Sequence, residues 1–561
     1  MKKTIFIILL LLSFLPFQQV VAAEGANNKF GIHLAQPHYE DLEKTRDLVN
    51  SNGGDWGYVT VVMQENDRKK DKWQDIFERM REYRLIPIIR LATEPEGEFW
   101  KRPAKDEAKD WADFLNSLHW VVKERYITIF NEPNHGSEWG GEVGAKDYGE
   151  TAYQFAKTLK EKNPDFYVML GGFDASAPSS RPVYEDEERF VREALSVKTP
   201  EEWNKVLDGW SSHSYPNPGF AGSPYGSGRG TVRTYEWELG LLKELGIKDL
   251  PVFITETGWE GNALSRDRVA ENFRTAFQQI WLNDDRVRAV TPFVLNYQGP
   301  PFTGFSWAEL GNSEYYPQYY MVQDMKKDAG DPVIEEKGSI DQERPHELVI
   351  NSVYNMKVTL ENKGQAIWDK DYGYGLKIDN YDKDKYLFTD LKNIKPNQQI
   401  EVDVYLKTTG SKGKQSATIA LYKNDKKLLE GKKWNFEIVP LPSIQFHVSL
   451  YPKRTAKGDT YQLQIFDKRE QLVYKKKGIK IEDEEGMADS IQNVALGERY
   501  RVVILRPYYL PRQTFVKITK GVNQIAFERM LPVDANGDGK LDITDVGTFI
   551  TTPERWGLLL P

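Results

Sequence analysis

Two short stretches carry residues whose types and spacing could do chemistry: Ile129-Phe130-Asn131-Glu132-Pro133-Asn134 and Ile254-Thr255-Glu256-Thr257-Gly258-Trp259. In each, a glutamate stands where a β-branched, apolar run gives out into Pro or Gly, so each carboxylate is expected at the end of a buried strand. Glu132 and Glu256 are therefore read as a catalytic pair. Other polar groups stand at expected strand ends. His213-Ser214-Tyr215 closes one run, with His213 and Tyr215 on the same face by the period of two. Arg90, near the end of another, could hold a neighbouring carboxylate ionised, because an arginine beside it lowers its pKa. His33, ending the first run, is read as a pocket liner.

These residues need a scaffold that delivers strand ends to one place. The chain of 561 residues is too long for a single core. Its net charge of −8 is spread without a basic stripe, which argues against nucleic acid as a partner. The absence of cysteine excludes disulfides, thiolate catalysis and Cys-ligated zinc. Met1-Lys2-Lys3, the apolar run Ile5 to Phe17 and the small-residue site Val21-Ala22-Ala23 read as a secretory signal peptide over 1–23. No second apolar stretch is long enough to cross a membrane. The expectation is an exported, extracellular monomer.

Over 24–325, short apolar runs alternate with amphipathic helical stretches, the pattern of repeated βα units around a parallel sheet. Eight strands are expected: Phe30–Leu34, Trp56–Val62, Pro87–Ala92, Ile127–Asn131, Tyr167–Gly172, Gly209–Tyr215, Val252–Glu256 and Val290–Asn296. The fold class is α/β: a (β/α)8 TIM barrel, whose site lies where the strands end. Residues 326–344, rich in Lys, Glu and Asp, read as a linker. Strand-like alternation then predicts two all-β sandwiches, over 345–440 and 441–530, divided at Pro440-Leu441-Pro442.

The segment 531–561 holds Asp534-Ala535-Asn536-Gly537-Asp538-Gly539-Lys540-Leu541-Asp542-Ile543-Thr544-Asp545. Oxygen-bearing residues fall at loop positions one, three, five, nine and twelve, with Gly539 at six where the sharp turn needs it. Such a ring of oxygens suits a hard cation. Structural calcium is expected on Asp534, Asn536, Asp538, Lys540, Asp542 and Asp545, and no cofactor is expected for catalysis.

Asn131-Glu132-Pro133 at a fourth strand and Glu256 at a seventh resemble the retaining glycoside hydrolases of clan A, over the whole first domain. The resemblance implies that Glu132 is the acid/base, that Glu256 is the nucleophile and that Asn131 hydrogen-bonds the sugar's 2-hydroxyl. It also implies contacts from His213 and Tyr215 to the nucleophile and the bound sugar. Glycosidic cleavage passes through an oxocarbenium-like state, so one carboxylic acid protonates the departing oxygen while the other carboxylate attacks the anomeric carbon. Sugars present apolar faces, so aromatic platforms are expected from Trp259 and Trp307 foremost, and from Tyr297, Trp139 and Trp100. Many clan members carry a tryptophan within the last strand; here that place reads Phe293-Val294-Leu295-Asn296-Tyr297, so Trp307 or Tyr297 is expected to take its role. Spacing does not choose among the cellulase-like family five, the xylosidase- and iduronidase-like family thirty-nine, and the β-1,3-glucanases.

The first sandwich, through Asn362–Trp368, Ile394–Gln398 and Trp434, resembles immunoglobulin-like accessory domains. The second, through Ile481–Gly486, Leu496–Val503 and Pro507–Arg512, resembles the carboxypeptidase-regulatory type. The calcium loop resembles half of a dockerin, which implies a cohesin-type scaffold as partner, although a dockerin carries two such loops. The expected activity is that of a retaining glycosidase on a polysaccharide or oligosaccharide. Two alternatives compete: a catalytically silent carbohydrate-binding or surface-assembly protein, which should have lost a carboxylate, and a transglycosylase, which passes the sugar to another sugar.

Overall fold

Eight short strands rich in β-branched and aliphatic residues build the first unit of a computed structural model that describes residues 26–410, 412–452 and 458–558. The expected signal peptide, 1–23, lies outside the described residues. Two units separate between Glu335 and Glu336, and each is described by itself. The strands are β1 (Gly31–Leu34), β2 (Gly57–Gln64), β3 (Leu85–Ala92), β4 (Arg125–Ile129), β5 (Phe166–Leu170), β6 (Trp210–His213), β7 (Val252–Glu256) and β8 (Val287–Val290).

β1 to β5 pair in sequence order and in parallel, as do β6 to β8. Single parallel bridges, Asp174 to His213 and Phe30 to Val290, link the two sheets. The eight strands thus follow one another around a closed ring. Helices flank it, including α1 (Tyr39–Val49), α2 (Lys70–Glu82), α3 (Glu107–Ser117), α4 (Ala145–Lys162), α5 (Glu187–Leu195), α6 (Pro200–Val206), α7 (Thr234–Glu244) and α8 (Arg266–Gln279). α2 shows why they pack: Trp73, Ile76, Phe77 and Met80 recur at three and four and are all buried. Helices on its outside and side chains within bury β7 along its whole length, so it reads as a continuous apolar run, not an alternating one.

Tyr58, Tyr126, Tyr167 and Phe253, each the second residue of its strand, meet with ring centroids 4.9–6.2 Å apart. They plug the end at which the strands begin. The opposite end, where the strands finish, is left for the polar residues.

Most strands lie within two residues of the expected bounds, but the last does not. The expected Val290–Asn296 is replaced by β8, three residues earlier, because Pro292 has no N–H to continue a ladder. The chain beyond it makes irregular bonds instead, from Phe293 N to Thr257 O (2.9 Å) and from Leu295 N to His33 O (3.0 Å). The expected linker 326–344 also differs. Lys327 is 4% exposed and donates its ammonium to the carbonyls of Val322, Gln323 and Met325, capping the short helix α9 (Pro317–Gln323). Gly338–Gln342 is a strand of the second unit, antiparallel to Val353–Asn362.

The second unit holds a four-stranded sheet, a six-stranded sheet and a seven-stranded sheet. Val353–Asn362 alternates partly exposed and buried residues along its length, as a strand with one better-covered face must. The expected boundary at 440–442 is spanned by shared pairing: Glu347–Val349 runs parallel to Trp434–Val439 and antiparallel to Ala495–Leu496. The last described α-helix, α10 (Ile543–Thr551), is opened by an Asp542 capping box with Asp545. Among the described residues no helix is long and apolar enough to cross a membrane.

Two glycines give an opposed test of the packing. A Cβ on Gly149, within α4, would lie 2.1 Å from the Ala194 carbonyl oxygen at the end of α5, whereas one on Gly240, within α7, meets nothing within 4 Å. Alanine is the better helix former by about 1 kcal/mol. Gly240→Ala should therefore raise the melting temperature slightly and Gly149→Ala should lower it, in thermal denaturation followed by circular dichroism.

Candidate active site

β4 delivers the first carboxylate by an abrupt turn. Phe130 and Glu132 adopt left-handed backbone angles, φ 68° and 31°, which non-glycine residues take up only when their surroundings compel it. The turn is fixed by Glu132 N donating to Gly172 O (2.9 Å) and His135 N to Glu132 O (2.8 Å). Close approach of the β5 end makes this possible. A Cβ on Gly171 would lie 2.6 Å from Phe130 O, and one on Gly172 would lie 2.1 Å from the ring of His213.

Glu256, the last residue of β7, is 6% exposed and held on both oxygens. Arg90 Nη1 donates to Oε1 at 2.8 Å and to Asn131 Oδ1 at 2.9 Å; the Tyr215 hydroxyl donates to Oε2 at 3.0 Å. His213 Nδ1 stands between the two glutamates, 2.8 Å from Glu132 Oε1 and 3.8 Å from Glu256 Oε2. Oxygens of the two carboxylates lie within 4.8 Å of each other.

Burial pushes the Glu256 carboxyl up, but the positive charge of His213 and Arg90 and the Tyr215 hydrogen bond outweigh it and hold the group below the ordinary glutamate value. His213 is the reciprocal case: burial lowers its pKa, yet the Glu256 charge and the bond to Glu132 leave it raised. Burial takes His33 down to about 3, so this imidazole is neutral beside Glu256, with Nε2 3.6 Å from Oε1. Tyr215, buried against two carboxylates, is pushed far up and stays a donor.

Five of the six residues expected to do the chemistry, Glu132, Glu256, Asn131, Tyr215 and Arg90, line one cleft of about 530 Å3, and the buried His213 supports Glu132 from behind it. Its lining also includes His33, Tyr297 and Trp100. Three expected platforms are elsewhere. Trp259 and Trp307, each 1% exposed, pack edge-on against Phe273 of α8, and Trp259 donates to Gly222 O. Trp139 is fully buried against Phe130 and Tyr148 and donates to Asp147. These tryptophans are core residues. The aromatic wall is formed instead by Phe220, Phe293, Phe302 and Phe305 with Tyr297 and Trp100.

Further polar residues of the cleft, His135, Glu138 and Asp174, were not singled out by the sequence. His135 Nε2 lies 2.9 Å from Asp174 Oδ2, while its Nδ1 is 4.0 Å from Glu132. Burial lowers the His135 pKa, but the bond to Asp174 and the Glu132 charge raise it on balance. The available signal was their position, three and six residues beyond Glu132 in the same strand-end loop for His135 and Glu138.

The expected calcium loop is a separate candidate site. Asp534 and Asp545 are 4% and 2% exposed and form no ion pair with Lys, Arg or His among the described residues. Their oxygens accept backbone N–H bonds: Gly537 and Gly539 donate to Asp534, and Ala535, Asn536 and Asp542 to Asp545. Asp538 accepts from the Asn536 amide and from Lys540 N. Asp534 and Asp545 are thus satisfied by backbone N–H groups, and among the described residues the three acidic or histidine side chains close enough to share a metal ion are Glu132, His213 and Glu256, not the carboxylates of this loop.

Comparisons with known proteins place these sites in context. No protein-family model matches the chain, and no curated protein matches it. Among solved structures the chain is similar to a glucosidase from Croceicoccus marinus, at 10% identity and a TM-score of 0.38, over 86% of this chain and 95% of that one. It is also similar to a β-mannanase from Thermomonospora fusca, at 14% identity and TM-score 0.33, over 50% and 83%. A third likeness is to a family 51 α-L-arabinofuranosidase from Bifidobacterium longum, at 12% identity and TM-score 0.33, over 75% and 77%. At such distances the likeness assigns no activity to the chain.

Proposed function

We propose that the first unit is a retaining glycoside hydrolase on a (β/α)8 barrel, with Glu132 as acid/base and Glu256 as nucleophile. The observation that carries this reading is that an oxygen of Glu132 and an oxygen of Glu256 lie within 4.8 Å of each other. Retaining enzymes hold their carboxyls about 5 Å apart, whereas inverting ones leave about 6.5–9.5 Å for a water. The environments of the two groups support the same division of labour. Glu256, gripped by Arg90 and Tyr215, stays ionised and attacks the anomeric carbon. Glu132, oriented by His213 and half-buried beside the cleft, protonates the departing oxygen. The glycosyl–Glu256 ester is then broken by a water that gives its proton back to Glu132. In this reading Asn131, which accepts from Arg90, binds the 2-hydroxyl, and the phenylalanine-rich wall receives the apolar face of the sugar.

The substrate in this reading is a polysaccharide or oligosaccharide, and the enzyme is exported through residues 1–23. The second unit supplies an immunoglobulin-like and a carboxypeptidase-regulatory-like module. The 534–545 loop holds structural calcium through Asp534, Asn536, Asp538, Lys540, Asp542 and Asp545, and is a half-dockerin for a cohesin-type scaffold. The silent-binder alternative is disfavoured because both carboxylates are present and partnered.

Glu256→Ala should lose activity by about 10^4-fold on whichever of β-glucan, xylan, mannan, galactan or aryl glycosides the wild type cleaves. Activity in the variant would remove Glu256 from its role. Because Glu256 must be ionised to attack and its pKa is held low, the acid limb of kcat/KM lies below the ordinary value of 4.5. Tyr215→Phe removes a bond to the charged form, so that limb should move up in a pH–rate profile, and an unmoved limb would remove Tyr215 from this role. For the loop, chelation should lower the melting transition of the C-terminal region, and added calcium should restore it; an unchanged transition contradicts calcium binding there.

A further inference from the structure

The loop after β4 carries a third carboxylate into the cleft. Glu138 ends a one-turn 3-10 helix, Gly136–Glu138, six residues beyond Glu132. Its place is rigid. Trp139, next in sequence, is fully buried and anchored on Asp147, so the chain at this point is pinned to the core. Gly136 N donates to Val183 O at 2.7 Å and Gly140 N to Trp100 O at 2.9 Å, which ties the turn to the neighbouring loops on both sides. Glu138 is half-buried on the cleft wall, and its carboxyl has no hydrogen bond or ion pair among the described residues.

Every other carboxylate of the cleft has a partner: Glu132 has His213, Glu256 has Arg90 and Tyr215, and Asp174 has His135. Among the described lining residues Arg90 is the sole Lys or Arg, and its Nη1 is committed to Glu256 and Asn131. A carboxyl carried on a pinned turn and facing a binding cleft without a protein partner is free to accept from a donor on the ligand. Nearby anionic groups would also repel a carboxylated or sulfated sugar.

We propose that Glu138 is a specificity-determining residue that accepts hydrogen bonds from a hydroxyl-bearing, uncharged sugar unit and rejects anionic sugars at that subsite. This rests on the glycosidase reading above. Burial pushes the carboxyl up to about 7, with Arg90 and His135 opposing the rise and Glu132 and Glu256 adding to it, so Glu138 repels an anionic sugar above that pH and loses this discrimination as it protonates below it.

The test uses the full chain in two backgrounds. Binding of neutral oligosaccharides from the substrate panel, and of carboxylated counterparts, is measured calorimetrically for Glu256→Ala with and without Glu138→Gln. Turnover is measured for Glu138→Gln alone, with thermal melts to confirm folding. Glu138→Gln is expected to weaken neutral-glycan binding about tenfold or more, raising KM more than it lowers kcat. It should also narrow the gap between neutral and carboxylated glycans. Unchanged affinity and unchanged discrimination overturn the role of Glu138, as does absence of glycan binding in both backgrounds. If glycans bind in the predicted order but the wild type turns none over, the catalytic reading fails while Glu138 stands.

Discussion

An ionised carboxylate kept inside the ring is the constraint on which the rest of the site depends. Glu256 is nearly inaccessible to water, and burial by itself raises its pKa. Arg90 from β3, Tyr215 just past β6 and His213 at the end of β6 each give it a charge or a proton donor. Arg90 and Glu256 are 166 positions apart in sequence, so the anion can be held only if the strands close in their observed order. The aromatic plug at the opposite end, Tyr58, Tyr126, Tyr167 and Phe253, fills the ring where no polar group is needed. Stability and chemistry are thereby placed at different ends of the same strands.

The same constraint organises Glu132. His213 touches both carboxylates, so its ring must sit over β5, and only a glycine at 172 leaves room for it. The left-handed backbone at Phe130 and Glu132 is the local cost of turning the chain sharply enough to present the side chain there. Buried networks of this kind specify one arrangement because an unmatched member is expensive.

The strand ends were legible because their signals are local. An apolar run stopping at Glu-Thr-Gly or Asn-Glu-Pro shows both the strand and the residue at its tip, and Arg90, His213 and Tyr215 follow from alternation. The platforms were not legible in the same way. Trp259 and Trp307 pack on Phe273, a residue of α8 whose facing is set by tertiary packing, and nothing near either tryptophan announces it. Phe293, Phe302 and Phe305 reach the cleft because the chain leaves the ladder at Pro292, which shifts the last strand back and frees the following loop. The strand Gly338–Gln342 was hidden by charge: of its five residues only Ile340 and Gln342 are buried, so its alternation is nearly silent. Glu138 was passed over because an acidic residue in a loop reads as solvated until its neighbours are known.

The central claim, that Glu132 and Glu256 act by double displacement, is tested most directly by the configuration of the first-formed product. Proton NMR of the anomeric region, recorded during the first minutes of hydrolysis before mutarotation, reads it without reference to any variant. The account predicts that the new reducing end first appears with the same anomeric configuration as the bond cleaved. Initial appearance of the opposite anomer would contradict it, because single displacement by water gives inversion and is run by carboxyls set farther apart.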